Sequence, residues 1–389
     1  MDKVRIGDIC TVVSGSTPKS NIEEYWNGDI KWITPAEIDG DSYVISDTER
    51  HITEKAVEKT NLTLLPVGTV LLSSRAPIGK TAIAGAEMYC NQGFKNLICS
   101  ERIYNKYLYF FLTSKVDYLN ALGRGATFKE ISKGIVEDVE IPLPTIEVQK
   151  NIAKRLEVIQ QLINNRKQAL LQIDNLVKSR FVEMFGEPKS NPCNWKLSTI
   201  GEHCSVKGGK RVPKGMNFSP IPTKHPYLRV TDMKNATIID DDIHYIDDEV
   251  YSKISRYVVA AGDVYLTNVG VNLGMAGVIP KKYDGANLTE NAVKLINNES
   301  ELDGIYLSHY INSPGIQTYV NERKMTVGVP KLAIFRIESM PLLLPPIDLQ
   351  RKYKFFVQKA DKSKVDGKFC LSTKFAQWRY NECNYFLRG

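Results

Sequence analysis

An internal duplication constrains this chain more than any other feature of its sequence. Five short segments of the first half recur in the same order in the second half, at an offset that drifts from 194 to 201 residues. The matching segments are residues 6–10 and 200–204, 32–38 and 227–233, 67–72 and 261–266, 107–114 and 306–313, and 141–149 and 342–350. One such match arises easily by chance, but five in one order do not. The chain therefore has to build two similar folding units.

Each repeat begins with short β-like runs and ends with a helical stretch. Apolar and β-branched runs alternate with Gly, Pro and Asn turns over residues 68–83 and again over residues 262–279. Helical stretches are predicted at residues 104–122 and 302–320. A proline-containing segment then ends each globular part, because proline fixes φ and interrupts regular hydrogen bonding. Both repeats are therefore predicted to be mixed α/β domains.

A long helix is predicted after the first globular part. No Pro or Gly occurs from Ile146 to Phe185, and Gly186 followed by Pro188 is a stop signal. Apolar residues in this stretch step by alternate threes and fours, the pattern of a coiled-coil seam. The seam positions are Ile152, Leu156, Ile159, Ile163, Arg166, Leu170, Ile173, Val177, Arg180 and Met184. An isolated helix of this length would leave its apolar stripe in water, so it needs a partner.

The second copy of the helix is the obvious partner, which predicts an antiparallel pair. It starts at Ile347, but its heptad pattern fades beyond Lys364, so we expect a shorter or irregular end. The predicted fold class is α+β, with two repeated mixed α/β domains joined by two long antiparallel helices in a pseudo-two-fold arrangement. The predicted segments are residues 1–145, 146–190, 191–341 and 342–389.

Charge and composition allow a polyanionic partner without identifying it. The net charge is +7, yet residues 1–145 carry 16 basic and 19 acidic side chains. The helical segments 146–190 and 342–389 carry net charges of +3 and +6. No apolar run approaches the roughly 18 residues that span a bilayer, and the first residues do not resemble a signal peptide. Because an odd number of seven cysteines fits reduced thiols, we expect a cytoplasmic protein without a membrane segment.

Motif fragments typical of enzymes are incomplete in this sequence. Residues 74–81 resemble a phosphate-binding loop, but Ser74 replaces the first glycine and Pro77 removes a backbone donor. The five histidines and seven cysteines include no Cys-x-x-Cys and no histidine pair at metal-ligand spacing. We therefore expect no catalytic residue, no metal site and no cofactor bound by this chain itself.

The segments at the helix starts carry a family resemblance. The chain resembles the specificity (S) subunits of type I restriction–modification systems, on the strength of residues 141–149, 178–186, 344–350 and 361–364. The resemblance covers essentially the whole chain and departs after Lys364, where the family usually continues a regular helix. It implies two target recognition domains, each reading one half of a split double-stranded DNA target, and helices that set the distance between the half-sites.

The resemblance also implies partner subunits. Two methyltransferase (M) subunits would dock on the helices and methylate adenine at N6 with S-adenosylmethionine. Motor or endonuclease (R) subunits would use ATP and Mg²⁺ for cleavage, so these cofactors are expected on the partners. Two alternatives stay open at this point. One is a fragment or relative of a fused restriction–methylation enzyme with its own catalytic activity, and the other is a scaffold that does not read DNA.

Residues that contact DNA are predicted on turns of both domains. Arg suits guanine and Asn or Gln suits adenine, because each pairing makes two hydrogen bonds to the base edge. Glycines beside Arg124 and Arg211 would let the backbone approach a phosphate closely. The candidates in the first domain are Thr17, Lys19, Arg75, Lys80, Asn91, Gln92, Arg124, Thr127 and Lys129. The candidates in the second domain are Lys210, Arg211, Lys214, Arg229, Asn268, Asn272, Lys324, Thr326 and Lys331.

Overall fold

A computed structural model gives the fold of most of the chain. The residues that it describes are 3–39, 43–75, 77–125, 129–297, 301–325 and 328–364. They form two compact units, which lie within Met1–Ala169 and Leu170–Asp366. Two of the predicted DNA contacts, Thr127 and Thr326, lie outside the described residues.

The first unit contains two sheets and a pair of terminal strands. Its strands are β1 (Lys3–Arg5), β2 (Cys10–Ser14), β3 (Trp26–Ile33), β4 (Val44–Ile45), β5 (His51–Ile52), β6 (Val70–Leu72), β7 (Thr81–Ala84), β8 (Tyr89–Cys90), β9 (Lys95–Cys99) and β10 (Glu140–Pro142). Its helices are α1 (Glu54–Lys59), α2 (Asn105–Ser114), α3 (Val116–Leu122), α4 (Lys133–Glu137) and the first part of α5 (Ile146–Phe185). The sheet orders are β2-β9-β6-β7-β4 and β5-β3-β8, and β1 pairs with β10.

One apolar cluster of the first unit lies between its five-stranded sheet and α2. Strands β6 and β7 are buried along their whole length, and Leu108 and Leu112 of α2 belong to the same apolar cluster as Val70 of β6. The helix predicted over residues 104–122 is in fact two helices. Lys115, at φ −109° and ψ 15°, leaves the helical region between α2 and α3.

The second unit has a closely similar set of elements. Its strands are β11 (Lys196–Thr199), β12 (Cys204–Gly208), β13 (His225–Leu228), β14 (Met233–Lys234), β15 (Thr237–Ile238), β16 (His244–Ile246), β17 (Val264–Thr267), β18 (Ala276–Val278), β19 (Asn287–Leu288), β20 (Ala292–Asn297) and β21 (Pro341–Leu344). Its helices are α6 (Ile200–His203), α7 (Asp248–Ile254), α8 (Gly304–Ile311), α9 (Pro314–Arg323), α10 (Ile334–Glu338) and α11 (residues 347–364). The helix predicted over residues 302–320 is again divided, because Pro314 occupies the first turn of α9.

The two units share one topology, which confirms the duplication and the predicted fold class. The order β12-β20-β17-β18 repeats β2-β9-β6-β7, and β16-β13-β19 repeats β5-β3-β8. In each three-stranded sheet one pair is parallel, β3 with β8 and β13 with β19. The antiparallel ladder that joins Cys10 to Cys99 has its counterpart in the ladder that joins Cys204 to Asn297. Structurally equivalent positions can therefore be assigned residue by residue along these strands.

Helix α5 spans Ile146–Phe185, the bounds predicted from the sequence. At a rise of 1.5 Å per residue, its 40 residues extend about 60 Å. Ile152 and Leu156 pack on the core of the first unit. Val177, Phe181 and Phe185 are buried in the core of the second unit.

The buried face at the end of α5 differs from the predicted seam. Phe181 and Phe185 lie outside the seam, but both rings contact Tyr306 of the domain and Tyr353 of α11. The helix therefore packs on a domain and on a second helix at once, and it needs a wider apolar face than a coiled coil does.

Helices α5 and α11 are antiparallel within the second unit, as predicted. Successive residues of α11 contact α5 in reverse order. The ring centroids of Tyr353 and Phe185 lie 5.4 Å apart, and Cζ of Arg180 lies 5.9 Å from the ring centroid of Phe356. Nζ of Lys364 lies 2.7 Å from Oδ1 of Asp174. Residues 365–389, where an irregular end is predicted, lie outside the described residues.

Candidate nucleic-acid interface

An open cavity of about 480 Å³ brings together three of the predicted residues of the first domain. Arg75, Lys80 and Asn91 line it, together with Glu130. These residues come from the β6–β7 loop, the β8–β9 loop and the segment after α3, which the five-stranded sheet places side by side. A cavity of this size, with two cationic side chains and an amide in its lining, can accept the exposed edge of a base.

The two basic side chains of the cavity are anchored by the protein. Lys80 Nζ donates a hydrogen bond to the carbonyl oxygen of Pro35 at 2.9 Å. Arg75 Nη1 lies 3.8 Å from Oε2 of Glu130. The side chains of Arg75 and Glu130 remain 38% and 39% exposed. The side chains of Arg75 and Glu130 can therefore reach a ligand from positions that are already restricted, which lowers the entropy cost of binding.

Glu130 is a residue of this site that was missed in the sequence. Its Oε1 lies 3.3 Å from Nζ of Lys95 and accepts a hydrogen bond from Oγ of Ser74 at 3.4 Å. Lys95 is buried, and an unpaired buried ammonium group is strongly destabilising. No local pattern could have identified Glu130, because Lys95 and Ser74 lie 35 and 56 residues away from it.

The other candidates of the first domain lie on neighbouring loops. Thr17 Oγ1 donates a hydrogen bond to Oε1 of Gln92, which ties the loop after β2 to the loop between β8 and β9. The backbone of Arg124 exchanges two hydrogen bonds with Glu130, at 3.0 and 2.9 Å. The side chains of Lys19, Arg124 and Lys129 are exposed. The structure thus brings most of the described candidates of this domain together around one surface.

The second domain presents a corresponding set of exposed residues. Arg211 Nη2 lies 2.9 Å from Oε1 of Glu290, and the Arg211 side chain is 74% exposed. Lys331 exchanges backbone hydrogen bonds with Met325, at 2.8 and 3.2 Å. The exposed candidates are Lys210, Arg211, Lys214, Asn272 and Lys331, and Lys324 is half-buried.

Asn268 is a predicted DNA contact that the structure places in the interior. It is only 6% exposed, and its Nδ2 donates to the carbonyl oxygen of Leu332 at 3.4 Å. Its backbone N–H also donates to the carbonyl oxygen of Asn291 at 3.0 Å. Asn268 therefore joins neighbouring loops through one side-chain and one backbone hydrogen bond, and its polarity in the sequence was misleading.

Arg229 is a predicted DNA contact whose charge is also used within the protein. Its Nη2 lies 2.9 Å from Asp232 Oδ1 and 3.0 Å from Asp242 Oδ2. Burial alone would lower the pKa of Arg229, but hydrogen bonds to these two carboxylates raise it. In return, the hydrogen bond from Arg229 lowers the pKa of Asp242. Asp232 is 3% exposed, so Arg229 mainly compensates a buried charge.

Gly209, which precedes the candidates Lys210 and Arg211, lies where a side chain would clash with the protein's own backbone. A Cβ at Gly209 would lie 2.1 Å from the carbonyl oxygen of Thr289. At the equivalent position of the first domain, a Cβ at Gly15 would lie 1.9 Å from the carbonyl oxygen of Asn91. Both glycines let the end of a strand pack against a neighbouring loop. The predicted close approach to a phosphate does not explain them.

Metal ligation, membrane spans and cysteine pairing can be assessed over the described part of the chain. Among those residues, no group of three or more His, Cys, Asp or Glu side chains is placed to hold a metal ion. Over the same ranges, no helix is long and apolar enough to cross a membrane. Cys10, Cys90, Cys99, Cys193 and Cys204 are free thiols.

Both domains place exposed Arg, Lys, Asn or Gln side chains on neighbouring loops, a pattern compatible with nucleic-acid binding. Residues 1–174 match the family model described as the type I restriction modification DNA specificity domain. The type I restriction enzyme MjaIX specificity subunit of Methanocaldococcus jannaschii is 30% identical over 377 residues, which cover 92% of this chain and 86% of that subunit. The chain therefore belongs to the specificity subunits of type I restriction enzymes.

Solved structures support the same fold. The type I restriction–modification system S subunit from M. genitalium has a TM-score of 0.55 at 16% identity, and the match covers 98% of this chain and 94% of that one. A chain from a study of complex assembly and conformational transition in the type I system has a TM-score of 0.60 at 16% identity, with 99% and 97% covered. At 16% identity, these two likenesses show the fold of the chain.

Proposed function

We propose that each domain reads one half of a bipartite double-stranded DNA target. The first half-site would be read by residues 1–145 and the second by residues 191–341. The observation that carries this proposal is the repeated topology, because two copies of one fold present the same loops to two segments of DNA. The loops differ in sequence between the copies, so the two half-sites differ as well.

The near-neutral charge of the first domain is compatible with this role. Base edges are read by hydrogen bonds and apolar contacts, whereas phosphate contacts mainly position the protein. Residues 1–145 carry a net charge of −3, and two of their cations, Arg75 and Lys80, line the cavity. Local rather than overall charge therefore has to supply the phosphate contacts.

The helices are proposed to set the distance between the half-sites. A helix of 40 residues without an internal Pro or Gly is a stiff spacer of about 60 Å. Both domains pack on this helix, one through Ile152 and the other through Phe181. Dimeric DNA-binding proteins fix the separation of their half-sites by the same geometric principle.

The helices are also proposed to dock two methyltransferase subunits. Helix α5 exposes large apolar residues on more than one face: Val158, Leu162, Leu171, Leu176 and Val182, each 45–55% exposed. Exposed apolar surface of this kind on a polar helix favours contact with a partner protein. The basic surplus of the helical segments would add attraction to acidic partner surfaces or to the DNA backbone of the spacer.

Chemistry in the assembled enzyme is proposed to reside on the partners. The methyltransferase subunits would transfer the methyl group of S-adenosylmethionine to adenine N6. The motor or endonuclease subunits would use ATP and Mg²⁺ for DNA translocation and cleavage. This chain would supply sequence recognition and spacing.

Methylome sequencing of the host with and without the gene tests the proposal. Deletion should abolish N6-adenine methylation at one bipartite motif, and exchange of one domain should change one half-site only. Retention of every bipartite motif after deletion would contradict the proposal. Methyl transfer by the purified chain alone would instead favour a catalytic protein. Failure of the complex to bind DNA at any salt concentration would favour a scaffold.

A further inference from the structure

Two loops in each domain are joined by the same backbone bridges. In the first domain, Glu130 forms antiparallel bridges with Arg75 and with Arg124. In the second domain, Lys331 forms antiparallel bridges with Val269 and with Met325. Three positions of one surface are therefore structurally equivalent in the two domains.

Neighbouring hydrogen bonds confirm this equivalence. The carbonyl oxygen of Ser74, just before Arg75, accepts the N–H of Ile131 at 3.0 Å. The carbonyl oxygen of Asn268, just before Val269, accepts the N–H of Leu332 at 2.9 Å. The bridged loops thus have the same register in both domains.

The side chains at the three positions differ between the two domains, but their summed charge is the same. The first domain has Arg75, Arg124 and Glu130, and the second has Val269, Met325 and Lys331. Two cations and one anion give +1 in the first domain, and one cation gives +1 in the second. Each set keeps a cation that can contact a phosphate while offering different groups to the bases.

A buried neighbour changes together with this set. Lys95, which pairs with Glu130 at 3.3 Å, lies opposite Ser14 in the β2–β9 ladder. The equivalent residue of the β12–β20 ladder is Val293, opposite Gly208. Where Glu130 is replaced by Lys331, the buried ammonium group is replaced by an apolar side chain. In each domain the buried neighbour therefore matches the residue above it: Lys95 accompanies Glu130, and Val293 accompanies Lys331.

The second domain exposes apolar side chains around its three positions. Val271, Val329 and Met325 are 96%, 66% and 53% exposed. The loops that carry them are joined by a hydrogen bond from the N–H of Gly270 to the carbonyl oxygen of Pro330 at 2.9 Å. Such a cluster on a recognition surface marks a site where an apolar group is bound.

We propose that these equivalent positions determine how the two half-sites differ. Arg75 and Arg124, positioned by Glu130, recognise guanine in a G·C pair, whereas Val269, Met325 and Lys331 recognise thymine through its 5-methyl group. Arginine matches the O6 and N7 acceptors of guanine, and the thymine methyl is the apolar group that the major groove presents. The inference rests on the proposed reading of one half-site by each domain.

A transplant between the domains tests the proposal in the complex of this chain with its methyltransferase subunits. The variant Arg75→Val, Arg124→Met, Glu130→Lys with Lys95→Val places the second set in the first domain. Methylome sequencing should show an A·T pair in place of a G·C pair in the first half-site. The second half-site should be unchanged, which also shows that the complex has assembled. Unchanged recognition in both half-sites would overturn the proposal.

Two milder experiments cover the case in which the fourfold variant does not fold. Arg75→Lys keeps the charge but loses the paired hydrogen bonds, so discrimination for guanine in the first half-site should fall about fivefold or more. Deoxyuridine in place of thymine in the second half-site should weaken binding about fourfold for each methyl contacted. The same replacement in the spacer DNA is the control.

The remaining outcomes are equally specific. Equal binding of thymine and deoxyuridine, together with loss of methyltransferase subunits from a Val271→Ser variant, would assign the apolar cluster to a protein partner and overturn the proposal. A wild-type complex that methylates no bipartite motif would instead overturn the proposed function itself.

Discussion

Gln149 and Gln350 make the same three hydrogen bonds at the starts of α5 and α11. Oε1 of Gln149 accepts the N–H of Tyr104 at 2.7 Å, and its Nε2 donates to the carbonyl oxygens of Arg102 (3.0 Å) and Pro144 (2.8 Å). Oε1 of Gln350 accepts the N–H of Asp303 at 2.9 Å, and its Nε2 donates to the carbonyl oxygens of Glu301 (3.0 Å) and Pro345 (2.8 Å). Both side chains are fully buried. Each glutamine therefore fixes the direction in which a long helix leaves its domain.

Replacing either glutamine by leucine should destabilise its own domain. Gln149→Leu leaves one N–H and two carbonyl groups unsatisfied in the interior, and the expected loss is about 2 kcal/mol or more of unfolding free energy. Urea unfolding followed by circular dichroism measures it. Gln161→Leu, at an exposed position of the same helix, is the control and should change little. Equal stability of Gln149→Leu and Gln161→Leu would remove the anchoring role.

Protonation of His309 should destabilise the second domain at low pH. His309 Nδ1 lies 2.8 Å from the hydroxyl of Tyr353, and burial lowers its pKa from 6.5 to about 4. The unfolded chain then binds the proton more readily, so stability is complete above about pH 6.5 and falls as the pH decreases toward 4. The full effect is at most about 3 kcal/mol.

Urea unfolding at about pH 7.5 and pH 5 measures this dependence on protonation. The variant His309→Gln cannot titrate, so the difference between the two pH values should shrink. If the variant keeps the full difference, another group is responsible for the loss of stability.

Two arginines predicted to contact DNA should behave differently when they are replaced. Arg229→Ala leaves buried Asp232 without its cation, so the unfolding free energy should fall by about 3 kcal/mol while the methylated motif is unchanged. Arg211 is 74% exposed, so Arg211→Ala should change stability little. Its loss should relax the second half-site, at a cost of about 1–3 kcal/mol in DNA binding if it contacts a base. Uniform weakening on all DNA sequences would mark Arg211 as a phosphate contact.

Lengthening α5 should change the spacing of the half-sites but not their sequences. Four residues inserted near Asn165 add about 6 Å of helix, which corresponds to nearly two base pairs at 3.4 Å each. Methylome sequencing should therefore report a longer spacer between unchanged half-sites. Insertion of the same four residues in the exposed loop at Ile221 is the control and should leave the spacer as it is. A spacer that stays constant in both variants would rule out the role of α5 in setting the distance.

Features that depend on local sequence were predicted well. The bounds of α5 follow from the absence of Pro and Gly between Ile146 and Phe185 and from the stop signal at Gly186. The duplication was visible because both copies keep the same order of turn and strand segments. The break at Lys115 was missed, since no proline or glycine marks it in the sequence.

Only the tertiary structure decided which polar residues are available to DNA. In the sequence, Asn268, Arg229 and Arg75 are all polar residues on predicted turns. In the structure, Asn268 is buried and Arg229 is bound by two carboxylates. Burial and ion pairing depend on loops that meet through long-range strand pairing, and no local pattern reports them.

By itself, the sequence determined that this protein has two related domains, a stiff helix of known bounds between them and a place among the type I specificity subunits. The tertiary structure decided that Arg75, Arg124 and Glu130 meet at the positions that Val269, Met325 and Lys331 occupy in the other copy. The physical reason is that a helix is encoded by neighbours along the chain. A recognition surface is assembled by backbone bridges between residues 55 and 62 positions apart, Arg75 with Glu130 and Val269 with Lys331, and these exist only once the sheets have formed.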